Sequence, residues 1–347
     1  MPLGREFFPA AFVFYGVGIF MNLLINTSTD PAFNLALEEL IAAEYPSEVV
    51  MLWRNAPAII VGRNQNTEAE INAEAVRERG IKVVRRITGG GAVYHDLGNI
   101  NYTIAANGRQ LDQEAFARNA EIIINVLRTM GIDARFHGRN DILVDGRKIS
   151  GSAKSVLTDR TLFHGTLLFD ADLTVLSQVL TPDEEKIRSK GIKSVRSRVA
   201  NLKEYLPDLT SDEFMANLGT GLLRLMQLDE VTPVPADLIV KAEKLADEKY
   251  RQWQWNFGTL IAYSYRHRER FSCGSVEVRF NVIDNRIADT VFSGDFFGNR
   301  PVAELAEKLN GSIPSFDEIA GKLAVSDVAE YISGITPEEL LKLFRLG

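Results

Sequence analysis

Residues 81–106 read "IKVVRRITGGGAVYHDLGNINYTIAA". The run 81–88 is rich in β-branched residues, and 99–106 alternates in the manner of a strand. The triplet Gly89–Gly91 therefore joins two strands. Phosphate loops of the Rossmann and Walker types run instead from a strand into a helix, and both are excluded here. Three consecutive glycines beside Arg85 and Arg86 leave two readings. Gly89, Gly90 and Gly91 can present successive N–H groups to an anion, with Arg86 forking onto a phosphate or carboxylate. Alternatively, they make a tight strand connection flanked by two exposed arginines.

Upstream of this stretch, "LLIN" is a short strand. "DPAFNLALEELIAAEY" is an amphipathic helix with Asp30 at N-cap, Pro31 at N1, and Phe33, Leu37, Leu40 and Ile41 on one face. "EVVMLWRN" and "AIIVGRN" are strands flanking Pro57, and Thr67 with Glu70 has the spacing of a capping box opening a helix that runs to about Arg79. Downstream, a long helix is expected from about Asp112 to Met130, and "TLFHGTLLF" (161–169) is a further strand. "DEVTPVPA" and "WQWNFG" interrupt the periodicity. Strands and then short helices follow, with capping-box spacings at Ser315/Glu318 and Thr336/Glu339, which suggests a small α+β unit. The expected division is an N-terminal extension (1–20), a main domain (21–258), a linker (259–262) and an accessory domain (263–347). The extension is apolar, but it is too short to span a bilayer and is interrupted by Pro9, Gly16 and Gly18. It reads as an upstream segment before a functional start at Met21, not as a signal peptide.

"ILVDGRKIS" is the clearest hairpin signal, with Asp145-Gly146 as a two-residue turn. That turn pairs Val144 with Arg147, Leu143 with Lys148, Ile142 with Ile149, and Asp141 with Ser150. Asp141, Leu143, Lys148 and Ser150 then share a face, with Lys148 about 7 Å diagonally from Asp141. An isolated hairpin of this kind is ordinarily a solvated edge. Here small residues follow at once (Gly151, Ser152, Ala153), which lets a ligand approach the backbone. Two small-residue segments, each beside a fixed cation, suit a reaction between two anions, whose mutual repulsion desolvated cations and a metal ion would offset.

Composition narrows the classes further. A net charge of −7 argues against a broad nucleic-acid surface. A single cysteine, Cys273, excludes an internal disulfide and fits a reducing compartment. No Cys/His cluster has zinc-ligand spacing. His95, His137, His164 and His267 show no Ser-His-Asp order, so each is as readily a hydrogen-bonded structural histidine as a functional one.

Taken together, "DPAFNLALEE", "RRITGGGAVYHD", "GRNDILVDGRKISGSAKSV", "HGTLLFDADL", "GIKSVRSRVANL" and "WQWNFG", in this order, resemble the signature segments of the bacterial lipoate-protein ligases with a C-terminal accessory domain. The resemblance runs from Met21 to the end of the chain and is strongest over 85–202. It implies an α+β fold of the biotin/lipoate-ligase, class II synthetase-like type, with mixed β-sheets and flanking helices. It also implies a two-step reaction. Lipoate and MgATP give lipoyl-AMP and pyrophosphate. A lysine of an apo lipoyl domain (of 2-oxoacid dehydrogenase E2 subunits or the glycine-cleavage H protein) then takes the lipoyl group as an amide.

By the same resemblance, Arg86, Gly89, Gly90, Gly91, Ala92, Val93 and Tyr94 lie along ATP and the adenylate. Tyr94 stands where relatives often carry phenylalanine. Lys148 contacts the lipoate carboxylate and the α-phosphate, while Thr88, His95, Asn140, Asp141, Ser150 and His164 line the same cavity. Lipoate itself is assigned to Lys148, Gly90, His95 and His164. Asp141 either orients Lys148 or helps to hold Mg²⁺. Arg196 and Arg198 belong to a segment that resembles a loop closing over the adenylate. Expected besides are a cytoplasmic monomer and no membrane or nucleic-acid partner. The rivals are weaker. Cys273 lies outside every motif, against a cysteine-dependent octanoyl or lipoyl transferase, and no "GRGRRG"-like segment suggests a biotin ligase; the alternative that stays open is a lipoyl or octanoyl amidotransferase of the same superfamily without efficient ATP-dependent activation. A non-catalytic binder would not need two converging cations.

Overall fold

The structure is a computed structural model, which describes residues 21–112, 114–181, 199–258 and 263–344. The N-terminal extension, the linker at 259–262, Arg196 and Arg198 lie outside the described residues.

The first strands are β1 (Met21–Ile25), β2 (Glu48–Arg54), β3 (Ala58–Val61), β4 (Lys82–Arg85), β5 (Val93–His95) and β6 (Asn99–Asn107). Then come β7 (Arg135–His137), β8 (Asp141–Val144), β9 (Arg147–Val156) and β10 (Arg160–Leu168). They make two sheets. A seven-stranded sheet runs β1-β2-β6-β10-β9-β8-β7, and a three-stranded sheet runs β4-β3-β5. Both are mixed: β1–β2 and β3–β4 are parallel, and their other pairings are antiparallel. A third, antiparallel sheet holds β11 (Tyr265–Phe271), β12 (Gly274–Ile283) and β13 (Arg286–Gly294). The glycine triplet lies between two strands, as expected, but the strand it enters is the short β5, which was not read from the sequence; the expected 99–106 strand is β6.

Period-2 alternation decides which face of the large sheet is covered by what. Leu23, Val50, Leu52, Ile104, Phe163, Leu167, Ile142 and Val144 point to one side. There, helices Glu114–Thr129 and Ser211–Met226 bury Phe116, Ile123, Leu127, Phe214 and Leu218 against them. Each such aliphatic side chain contributes about 2 kcal/mol. Leu24, Val49, Met51, Trp53, Ala105 and Leu162 point to the other side, under helix Pro31–Glu44 and the inner face of the small sheet (Ala58, Ile60). Farther along that second face the composition changes. Positions that should be apolar for a two-sided core hold Asn99, Asn101, Thr103, His164 and Thr166, which share a face by register with Trp53 and Gly151. A buried face that turns polar is where a ligand belongs.

Several local expectations are altered. Thr67 does not cap its helix: it is the first helical residue, and its hydroxyl donates to the Asn256 carbonyl. A second short helix, Ala73–Glu78, is capped instead by Asn72. Thr336 and Glu339 form a capping box, whereas Glu318 turns from Ser315 to accept from the Ile313 amide. Strand β11 carries "YRHRERF", whose charges alternate between half-buried and exposed positions. It is an edge strand, protected from further pairing by those charges, and its polarity hid it from a hydrophobicity reading.

The 141–150 hairpin departs from its expected register. Val144 pairs with Arg147 and Leu143 with Lys148, but Ile142 then pairs with Ser150 and Asp141 with Gly151. A bulge on β9 absorbs one residue. Ile149 stays in the core, and Ser150 flips to the helix-covered face, fully buried. Ser150 is therefore not a cavity residue on the Lys148 side.

Candidate active site

Two arginines precede the triplet, and alternation sends them to different places. Arg85 donates to the carbonyls of Gly62, Arg63, Gln65, Trp255 and Asn256 and to the Thr67 hydroxyl. Trp255 Nε1 and Asn256 Oδ1 in turn hold the Arg85 backbone. This is the local reason for the "WQWNFG" segment: its short helix, Trp253–Phe257, clamps β4.

Arg86 is buried on the inner side and donates to the Ile60, Gly89 and Gly91 carbonyls and to Thr88 Oγ1, at 2.8–3.0 Å. Neither arginine is exposed. Burial pushes both guanidinium groups down to about 10, so both remain charged at neutral pH. Arg86 therefore does not hold a free fork toward an anion. Its charge reaches the site through the loop, by pinning the carbonyls so that the amides face the other way.

The triplet itself is shaped by close approach. Gly90 has φ +93°, and a Cβ there would meet Arg86 Nη2 at 3.0 Å. Gly91 borders open space. The expected row of anion-facing amides is only partly free, because Gly90 N–H donates to the Phe296 carbonyl at 3.3 Å. Phe297 packs on Gly89 and Gly90, and Arg139 stacks over its ring at 4.4 Å. The segment after β13 thus seats a carbonyl on the triplet, an acceptor no sequence signal placed there.

Below the loop lies a buried polar chain. Thr88 Oγ1 is 2.8 Å from His164 Nε2, and His164 Nδ1 is 2.8–2.9 Å from the Glu38 carboxylate. Thr103 donates to Glu38 at 2.6 Å, and Trp53 Nε1 donates to Thr103 at 2.8 Å. Glu38, Trp53 and Thr103 were not found from sequence. Each reads there as an ordinary helix or strand residue, and only their convergence marks them.

Lys148 sits on the same sheet face. Its Nζ is 2.7 Å from Asp141 Oδ1 and lies directly over Gly151, where a Cβ would come within 2.8 Å of it. The diagonal pairing of lysine and aspartate therefore holds despite the bulge. Gly151 pairs through its backbone with Thr166 Oγ1, and Thr166 is two residues from His164. That interval is about 7 Å along a strand. Lys148 and the triplet thus approach β10 at neighbouring positions on one face.

The remaining predicted residues divide. His95 faces inward and edge-on to Trp53, with ring centroids 6.4 Å apart and Nδ1 3.1 Å from Asn55 Nδ2. Burial first, then the neighbouring Arg86 and His164, pushes His95 down to about 3. Val93 shares its inner side, whereas Tyr94 alternates outward into a separate core with Ile59, Val61 and Val76. The Tyr94 ring consequently faces away from His95 and the large sheet. Asn140 is tied to the Ser152 backbone at 2.6 Å and serves to lock β8 onto β9.

Among the described residues no cluster of three or more His, Cys, Asp or Glu side chains could hold a metal ion. The Asp141 carboxylate lies against the Lys148 amine, at 2.7 Å. A cleft of about 760 Å³ opens elsewhere, between residues 63–68 and strands β12–β13. None of the residues assigned to the site from sequence lines it.

The His95 shift sets a pH dependence. A histidine whose folded-state pKa lies below its unfolded value of 6.5 resists protonation only when folded. Stability is therefore full above about pH 6.5 and falls as pH drops toward 3. Replacing His95 by glutamine is expected to flatten this slope. Urea unfolding of both proteins at pH 7 and 5 should differ in pH response by about 2 kcal/mol.

Comparison with known proteins gives the family. Residues 30–222 match the lipoyl protein ligase A/B catalytic domain, and residues 261–344 match the bacterial lipoate protein ligase C-terminus. Lipoate-protein ligase LplJ of Bacillus subtilis is 38% identical, covering 90% of this chain and 96% of its own length. Lipoate–protein ligase 1 of Staphylococcus aureus is also 38% identical, covering 92% and 98%. Among solved structures, P. falciparum LipL1 in complex with lipoate superposes with a TM-score of 0.76 at 27% identity, covering 93% of this chain and 97% of that one. A lipoate-protein ligase A bound with ATP gives 0.61 at 29% identity, covering 69% and 99%. The chain belongs to the lipoyl protein ligase A/B family.

Proposed function

We infer that this protein is an ATP-dependent lipoate–protein ligase. In the first step the lipoate carboxylate attacks the α-phosphorus of ATP, a mixed anhydride forms, and pyrophosphate leaves. In the second, a lysine amine of an apo lipoyl domain attacks the acyl carbon, the C–O bond to AMP breaks, and the amine gives up a proton. The acceptors are the lipoyl domains of E2 subunits and the H protein. Relatives support the substrates: one solved neighbour carries lipoate, another carries ATP, and a third was solved as a bi-partite ligase and its E2 lipoyl domain.

The observation that carries the reading is the Lys148 amine, held by Asp141 over a glycine on the face where Thr88 and His164 meet. Two anions that repel one another need such a fixed cation between them. Lys148 screens carboxylate against α-phosphate, and Asp141 orients it. The amides of the triplet take the phosphates, the Gly90 amide exchanging the Phe296 carbonyl for an anionic oxygen. Mg²⁺ would arrive with the ATP phosphates, which supply part of its oxygen shell. Arg86 and Thr88 keep the loop in shape. A row of cross-strand neighbours, Gly151, Thr166, Asn101 and Trp53, leads away from Lys148 over three strand spacings, about 14 Å. That length accommodates an extended eight-carbon acyl chain. The 21–258 and 263–347 units act as catalytic and accessory domains.

Cys273 supports no thiol route: it is buried, and burial pushes its thiol up to about 11. No helix among the described residues is long and apolar enough to cross a membrane.

The test is ATP–pyrophosphate exchange with and without lipoate, then transfer to an apo lipoyl domain. Exchange that ignores lipoate sinks the reading. A finer test is Gly151→Ala. The new methyl displaces only the flexible end of Lys148, so thermal stability should hold while exchange falls about 10- to 100-fold, the cost of a misplaced charge.

A further inference from the structure

We propose that Asn101, with Asn99 and His95, reads the sulfur-bearing end of the acyl substrate and so selects a cyclic disulfide over a saturated chain of equal length. This rests on the ligase reading above and deepens it.

Asn99 and Asn101 lie in the interior of β6, 0% and 1% exposed. Asparagine is a poor strand former, and a buried one must satisfy its amide or lose stability. These two bond to one another, Asn99 Nδ2 to Asn101 Oδ1 at 2.9 Å. That leaves Asn101 Nδ2 and Asn99 Oδ1 without a protein partner. His95 adds a third such atom. With Nδ1 facing the Asn55 amide as acceptor, Nε2 carries the proton and meets no partner. Trp53 connects all three: Asn101 is its cross-strand neighbour, Asn99 lies two residues along the same face, and His95 packs edge-on against its ring.

The row from Gly151 to Trp53 places this cluster at the far end of the substrate from Lys148. An aliphatic tail needs only an apolar wall there, and Val, Leu or Ile would build a better strand. Two unpaired N–H donors suit a ligand whose distal end is polarizable and can accept, as divalent sulfur does weakly; the Asn99 carbonyl oxygen is matched by neither acid and does not discriminate between them. A saturated tail would bury the same atoms with nothing opposite them. A site whose polar groups are matched by one substrate rejects the analogue that leaves them unpaired.

The experiment compares kcat/KM for lipoate and octanoate in acyl-dependent ATP–pyrophosphate exchange. It uses the wild-type protein and the near-isosteric Asn101→Leu. The lipoate-over-octanoate ratio is expected to fall about tenfold in the leucine variant, a modest factor because sulfur accepts weakly. Asn101→Ser, which keeps a donor, should leave the ratio within about twofold. If thermal unfolding shows that the leucine variant does not fold, Asn101→Ala replaces it with the same expectation. Equal losses for both acids in the apolar variant overturn the proposal while leaving the ligase reading intact. Wild-type protein that shows no exchange with either acid overturns the ligase reading itself.

Discussion

Lys148→Ala is expected to abolish lipoate-dependent pyrophosphate exchange and also transfer from preformed lipoyl-AMP, each by at least about a thousandfold. Folding should be nearly unchanged. The lysine side chain is 37% exposed, and its ion-pair partner among the described residues, Asp141, is 32% exposed, a class of contact that contributes about 1 kcal/mol or less. The two half-reactions share the same requirement. Negative charge builds on phosphate oxygens when the carboxylate attacks, and again when AMP departs. A cation fixed beside that phosphate stabilises both transition states. Thermal unfolding with the two assays separates the outcomes, and normal exchange in a folded Lys148→Ala protein would remove the central element of the mechanism.

Arg86→Met should behave in the opposite manner, failing first as a protein. The side chain is 5% exposed, and four of its five donors serve the loop and the adjoining strand. Methionine fills the volume but leaves the buried carbonyls of Ile60 and Gly89, and the half-buried carbonyl of Gly91, without the Arg86 donor. At about 1–3 kcal/mol for each unsatisfied group, with partial relaxation, a loss of about 4 kcal/mol is expected. A lowered urea midpoint and loss of activity should appear together. Arg86→Lys should rescue little, because one ammonium cannot reproduce a planar fork. A variant that keeps wild-type stability and loses only ATP affinity would instead restore the direct phosphate contact read from the sequence. Together the two outcomes would give the cations different tasks, Lys148 acting on the substrates and Arg86 holding the loop backbone.

The Phe296 carbonyl on Gly90 adds a constraint that neither cation reveals. On the proposed binding mode an ATP phosphate would compete with this carbonyl for one amide, linking nucleotide binding to the seating of the 294–297 segment. The accessory sheet is attached at the same point, through Gly294 N–H to the Asn64 carbonyl at 2.8 Å.

Much of the site was legible from local pattern. The glycine triplet between strands, the Asp145-Gly146 turn, and the diagonal lysine–aspartate pair follow from alternation and turn geometry, which act over a few residues. Ser150 was misplaced because a bulge is invisible to a strict period of two. One extra residue on β9 reverses every later face, and Ile149 chose the core. Tyr94 was misplaced for a related reason: the sequence shows that Val93, Tyr94 and His95 alternate, but not which side meets the large sheet. Glu38, Trp53, Thr103, Asn99 and Asn101 went unseen because each is unremarkable in its own segment.

The sequence by itself determined most of the strands, the principal helices and the hairpin, because propensity, periodicity and turn chemistry are short-range, and its motif segments carried the family resemblance. Only the tertiary structure decided what the charged and polar side chains do. It buried Arg86 in the loop it was expected to extend from, and it brought a helix glutamate to a strand histidine 126 residues away. It also stacked two sheets so that one apolar face turns polar where they meet. Those outcomes depend on which elements pack together, and packing is decided by the burial of the whole apolar surface at once.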